Sequence, residues 1–191
     1  MNARPTILFA GGGTGGHLYP GVSVAQALVR RFPNARPLFL CTTRAIDETI
    51  LGPTGFEFIK QPILPPVKSV GGLLSFWKSW RETKDLLKRV EKENSPAAVL
   101  GLGGYAAGPA VKLLAEKKIP AALVNPDVIP GKANQFLFRY ARKSAASSTP
   151  PASRSRPPIT TGSPSPAARS AMTFSRPPAK KPPPAWAWTH G

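Results

Sequence analysis

The chain is poor in the residues that build covalently or metal-held folds. It has one cysteine, Cys41, and two histidines, His17 and His190. A single thiol excludes an internal disulfide and any cysteine-built metal site. Two imidazoles leave most histidine-built centres out of reach, so no metal is expected. No run of about 18 apolar residues exists, the length a bilayer-spanning helix needs. The apolar run near the N-terminus, Ile7 to Ala10, meets glycines too soon for a secretory signal, which points to the cytoplasm. Acids are scarce: 9 Asp plus Glu stand against 26 Lys plus Arg in 191 residues, a formal net charge of +17. That imbalance implies an anionic partner: nucleic acid, phosphorylated small molecules or an anionic membrane face.

Composition breaks near Lys143. Residues 144–191 contain 11 Pro, 9 Ser and 9 Ala, six basic residues, no acid, no Leu, no Val and a single Ile, Ile159. Such a segment cannot bury enough apolar surface to offset its ordering entropy, and disorder is expected over 144–191. It reads as a basic proline-rich tail able to bind anions or present proline-rich ligands, or as the product of translating a GC-rich gene out of frame.

Residues 1–143 alternate between short apolar runs and helical spacing. Strands are expected at Thr6–Ala10, Pro37–Cys41, Phe56–Lys60, Ala97–Leu102 and Pro120–Val124, and helices at Pro20–Phe32, Gly72–Glu93, Pro109–Lys117 and Gly131–Ala141. This order argues for an α/β fold: a Rossmann-like parallel sheet with helices on both faces and right-handed crossovers.

The densest chemical signal is Gly11-Gly12-Gly13-Thr14-Gly15-Gly16-His17, between the first strand and first helix. Glycines let a backbone turn tightly and approach a ligand, and the helix start offers unpaired N–H groups and a positive dipole end. Gly11, Gly13 and Gly16 satisfy the G-x-G-x-x-G spacing. The acid that dinucleotide sites place after the second strand is replaced by Cys41, Thr42, Thr43 and Arg44, which argues against a nicotinamide or flavin cofactor. No cofactor is expected. A second glycine turn, Gly101-Leu102-Gly103-Gly104-Tyr105, also ends a strand, so both loops belong on the ligand-binding rim, where they can hold a diphosphate. A ligand-free tight turn is the alternative reading of each.

GGGTGGH followed by Tyr19-Pro20-Gly21, GLGGYAAGPA at 101–110, and Val128-Ile-Pro-Gly-Lys-Ala-Asn134 together resemble the MurG family over about residues 6–143. These are bacterial transferases that move N-acetylglucosamine from UDP-GlcNAc to the undecaprenyl-diphosphate-linked muramyl pentapeptide, converting lipid I to lipid II in peptidoglycan synthesis. The resemblance implies the N-terminal, acceptor-side half of a GT-B glycosyltransferase, a hexosyltransferase that needs no metal. By position, Thr14, Gly15 and Gly16 would touch the donor sugar or acceptor diphosphate, and His17 would be the base for the acceptor hydroxyl. Gly103, Gly104 and Tyr105 would complete the acceptor site, Asp127 would take the place of a donor-contacting Asn, and Asn134 would belong to the donor- or acceptor-binding residues. Where the family has His-Glu-Gln-Asn, this chain has Val124-Asn125-Pro126-Asp127, so a carboxylate that only accepts replaces an amide. The family's donor domain has no counterpart in residues 144–191, and the chain as written is expected to have little or no transferase activity alone.

The chemistry suits these residues. An imidazole can serve as the base for a hydroxyl nucleophile, and departing UDP needs N–H groups or cations. Around Gly72–Glu93, Leu73, Phe76, Trp77, Trp80, Leu87 and Val90 form one stripe flanked by Lys78, Arg81, Lys84, Lys88 and Lys92. Its C-terminal half is expected in the core, with Phe76, Trp77 and Trp80 partly exposed and facing an anionic membrane. That places the protein on the inner face of the plasma membrane. Two other classes remain open. One is a non-catalytic nucleotide- or diphosphate-binding module. The other is a nucleic-acid-binding protein, whose only support is charge, since no specific nucleic-acid motif is present.

Overall fold

The computed structural model describes residues 4–125, 131–141 and 143–146. They fall within the first of two units, Met1–Pro151; the second, Ala152–Gly191, lies outside the described residues, as does most of the segment expected to be disordered.

Six parallel strands form one sheet: β1 (Thr6–Ala10), β2 (Arg36–Thr42), β3 (Glu57–Gln61), β4 (Ala98–Gly101), β5 (Ala121–Asn125) and β6 (Lys143–Ala146), in the order β3-β2-β1-β4-β5-β6. The helices are α1 (Gly15–Arg31), α2 (Ala45–Leu51), α3 (Val70–Asn94), α4 (Gly104–Glu116) and α5 (Lys132–Leu137), with a 3-10 turn at Gly52–Thr54. The chain leaves β1 toward β2 and β3, then returns to β4 on β1's other side. The switch point therefore lies between β1 and β4, where open α/β sheets bind ligands. The expected Rossmann-like parallel sheet is borne out.

Apolar residues on both faces of the central strands explain the two layers. On one face Phe9, Phe39, Cys41, Leu18, Val22, Ala25 and Leu51 join α1 and α2 to the sheet. The rings of Phe9 and Phe39 stack at 4.9 Å, and those of Phe39 and Phe56 at 5.7 Å. On the other face Leu8, Leu40, Val99 and Leu123 meet Leu87 and Val90 of α3, Val111 and Leu114 of α4 and Leu137 of α5.

Four expectations need correction. Helices α1 and α4 start earlier than Pro20 and Pro109, each of which is the sixth residue of its helix. Proline favours a helix's first turn, which makes it a natural start signal. Here each proline instead removes the bond that the carbonyl of Gly16 or Tyr105 would accept, while the true starts sit at the glycine loops. Helix α2 and strand β6 were absent from the sequence reading. The seven residues of α2 are too few for a periodic signal, and β6 takes Ser144–Ala146 across the compositional break. On α3 Leu87 and Val90 are buried and Phe76, Trp77 and Trp80 are partly exposed, as expected, and Ser79 and Thr83 are buried beside them. The small hydroxyl residues let α3 sit close to its neighbours, and Val70, Leu73, Leu74 and Trp77 remain exposed.

Candidate functional site

The glycine loops leave neighbouring strands and meet at the switch point. Gly11 N–H donates to Leu40 O at 3.1 Å, and Leu102 N–H donates to Ala10 O at 2.8 Å, so ladder bonding continues into both loops. Gly12 and Gly13 have φ of 145° and 84°, and Gly103 and Gly104 have φ of 100° and 70°. Side chains rarely adopt these angles, which explains glycine at the turns. Each loop opens directly into a helix: Thr14 is the N-cap of α1 and Gly103 that of α4. Neither cap residue satisfies a helix N–H with a side chain, and neither first turn contains an acid. Both ends therefore keep N–H groups and positive dipole ends for an anion.

His17 joins the two loops. Its Nδ1 lies 2.8 Å from Thr14 Oγ1. The other edge of its ring faces the second loop so closely that a Cβ on Gly103 would stand 3.0 Å from Cδ2, and one on Gly104 3.2 Å from Cε1. Asn134, buried in α5, is within the same contact distance of Gly103 and donates from Nδ2 to Asn125 Oδ1 at 2.8 Å. Its Oδ1 is buried and has no hydrogen-bond partner among the described residues. Tyr105 brings its hydroxyl toward Gly13, beside the Arg44 side chain. Burial raises the Tyr105 pKa, with the positive charge of Arg44 opposing it, so the phenol stays neutral at physiological pH.

Thr14, Gly15, Gly16, His17, Gly103, Gly104, Tyr105 and Asn134 thus gather on one rim. Asp127 lies outside the described residues. Phe76, Trp77 and Trp80 stand apart from the loops but border the same surface. An apolar groove of about 400 Å³ runs from Trp77 and Trp80 to Tyr105 and Phe136, with Lys112 and Lys132 in its walls. Trp80 is half-buried against α4, where a Cβ on Gly108 would stand 3.3 Å from its ring, whereas Trp77 is 57% exposed. Among the described residues, no helix is long and apolar enough to cross a membrane and no group of acids, histidines and cysteines is placed to hold a metal.

The sequence reading missed Asp47. This wholly buried side chain of α2 turns back under the first loop and accepts from Gly13 N–H at 2.7 and 2.9 Å, Thr42 N–H at 2.7 Å and Thr42 Oγ1–H at 2.7 Å. Arg44 donates from its guanidinium to Gly13 O at 2.7 Å. An acid therefore does follow the second strand, but it faces the loop's backbone. A search confined to the strand end passes over it, because α2 must fold back to bring it there. Nearby, desolvation, with the Asp47 charge adding to it, pushes the Cys41 thiol up to about 12, so it remains protonated and unreactive.

Two glycine loops converging on the carboxyl rim of a Rossmann-type α/β domain place the candidate site at the sheet's switch point. The particular family follows from comparison: residues 7–146 match the glycosyltransferase family 28 N-terminal domain, and the chain belongs to that family. It is 34% identical over 143 residues to the UDP-N-acetylglucosamine–N-acetylmuramyl-(pentapeptide) pyrophosphoryl-undecaprenol N-acetylglucosamine transferase of Thermodesulfovibrio yellowstonii, covering 71% of this chain and 37% of that protein. It is 36% identical over 136 residues to the same enzyme of Syntrophus aciditrophicus, covering 70% and 37%. The chain thus spans little more than a third of the length of these relatives. Acinetobacter baumannii MurG has the same fold, with a TM-score of 0.64 at 24% identity over 74% of this chain and 41% of that one. The UDP-GlcNAc 2-epimerase of Neisseria meningitidis shares the fold at a TM-score of 0.51 and 15% identity, over 74% and 39%. The MurG resemblance read from the motifs is borne out.

Proposed function

We propose that residues 1–146 form the acceptor side of an N-acetylglucosaminyltransferase acting on a lipid-linked muramyl diphosphate, with UDP-GlcNAc as donor. The observation that carries this reading is the meeting of both glycine loops at His17, beside an apolar groove with lysines in its walls. The diphosphate sits between the starts of α1 and α4, where Gly15, Gly16 and Gly104 present backbone N–H groups to its oxygens. Arg44 is the nearby cation. The lipid leaves along the groove, and Trp77 with the exposed apolar start of α3 enters an anionic bilayer surface on the cytoplasmic face. Trp80 anchors α3 on α4, and Phe76 packs between the two tryptophans.

In the transfer step His17 Nδ1–H donates to Thr14 Oγ1, leaving the Nε2 lone pair to take the acceptor hydroxyl's proton as its oxygen attacks the sugar's anomeric carbon. The bond from that carbon to the UDP oxygen breaks, and the departing diphosphate keeps the electron pair.

The test is co-sedimentation of the full chain with phosphatidylglycerol vesicles, with or without lipid I. Binding to plain anionic vesicles, strengthened by lipid I and lost with Trp77→Glu at unchanged circular dichroism, is the expected result. Retention by W77E at the wild-type level removes the interfacial role. Equal affinity for vesicles with and without lipid I removes the acceptor reading. Tight, steeply salt-dependent binding to any oligonucleotide would instead favour a nucleic-acid partner.

A further inference from the structure

We propose that Asp47 is the positioning residue of the first glycine loop: its buried carboxylate fixes the backbone of Gly13 and thereby the direction in which the start of α1 meets a diphosphate. The inference rests on the functional reading above, and its geometry is independent of that reading.

A carboxylate beneath an anion site runs against simple electrostatics, because its charge repels the ligand. Here the charge is absorbed locally. Both oxygens are occupied by donors from two segments, the first loop and the end of β2, and the side chain is 0% exposed. Among the described residues no cation forms an ion pair with it; backbone and hydroxyl hydrogens do the work. Gly13 is held from both ends, its N–H by Asp47 and its C=O by Arg44. In a trans peptide the C=O and the following N–H point in opposite directions. Turning Gly13 C=O toward Arg44 therefore aims Thr14 N–H the other way and sets the orientation in which α1 begins. The fit leaves no slack: a Cβ on Gly12 would lie 2.3 Å from Asp47 Oδ2.

The sign of the effect separates this role from others. Asp47→Asn removes a negative charge near an anion site, which by Coulomb's law alone raises anion affinity. It also turns an NH₂ group toward a donor and releases Gly13. Loss of outer-shell support at metal sites costs about 10–100-fold. A fall of at least about tenfold in pyrophosphate affinity is therefore expected for D47N, opposite to the electrostatic direction.

The experiment uses the ¹⁵N-labelled full chain titrated with inorganic pyrophosphate, followed at the amides of Gly13, Thr14, Gly15, Gly16 and Gly104. In the wild type the Gly13 amide proton resonates far downfield and exchanges slowly, and pyrophosphate moves Gly15, Gly16 and Gly104. In D47N the Gly13 proton moves upfield, its exchange accelerates and pyrophosphate affinity falls. The control is Leu51→Ala, at the other end of α2, which lowers the melting temperature but leaves Gly13 and pyrophosphate binding at wild-type values. The proposal is overturned if D47N binds pyrophosphate as well as or better than the wild type, or if L51A reproduces the D47N spectrum. If D47N does not fold, Thr42→Val removes one donor to the same carboxylate. The Gly13 proton then moves further downfield as its share of the carboxylate grows; a stationary Gly13 resonance overturns the proposal. If pyrophosphate leaves the wild-type loop amides unmoved, the diphosphate reading fails, while the Gly13 shift still decides whether Asp47 holds the loop.

Discussion

The two glycine loops look alike in sequence but are held in different ways. The first, Gly11–Gly16, is pinned from beneath by Asp47 and from the side by Arg44, so polar groups fix its backbone. The second, Gly101–Gly104, is shaped by close contacts: the His17 ring and the Asn134 amide occupy the space that side chains on Gly103 and Gly104 would need. The first loop is a hydrogen-bonded platform, and the second is a fitted wall that closes on His17. Two similar glycine turns can therefore be held by different means, and the glycines themselves do not tell which.

The largest expected effect tests the platform. Gly12→Ala combines a left-handed φ of 145° with a collision at Asp47 Oδ2. Strain and overpacking together should cost about 3 kcal/mol or more, read as a reduced denaturation midpoint. Gly103→Ala tests the wall. Its φ of 100° carries strain, but its nearest neighbour is a half-buried imidazole that can give, so about 1–3 kcal/mol is expected. If Gly103→Ala proves the costlier change, the contrast between the loops is wrong. Asn134→Ala comes next, with a loss near 1 kcal/mol from the bond to Asn125. Its Oδ1 has no partner among the described residues, so ligand affinity should fall more than stability does.

The smallest effect provides the reference. Arg36 and Glu57 pair on the surface, on strands β2 and β3. The hydrogen bond from Arg36 holds the Glu57 carboxyl below its ordinary 4.5. A depressed acid pKa contributes stability above the unfolded value, and that contribution is lost as pH falls through the folded value. Exposure keeps it small: Glu57→Gln should cost well under about 1 kcal/mol at pH 7 and less still in acid. Both loops should behave as wild type in E57Q by amide exchange.

Much of this was legible from the residues. Apolar runs marked five of six strands, because a sheet buried on both faces needs continuous hydrophobic segments. The glycine clusters marked both loops, and their order identified the family. The missing parts share a cause. Asp47 sits on a helix too short to show periodicity, and its role depends on a fold that brings residues 34 positions apart into contact. The helix starts were misplaced because Pro20 and Pro109 resemble first-turn prolines, whereas α1 and α4 begin directly at the glycine loops. Ser79 and Thr83 are buried on α3 without any apolar signal to mark them.

The adjacency of β1 and β4 has one further consequence. The loops spring from paired strands, in a register that sets Ala10 beside Gly101. The spacing of the two loops at their bases is thus inherited from the sheet's own repeat, about 4.8 Å between neighbouring strands. No loop residue sets that gauge. Substitutions around the rim can change which groups face the space between the loops, but changing the spacing at their bases would require moving a strand.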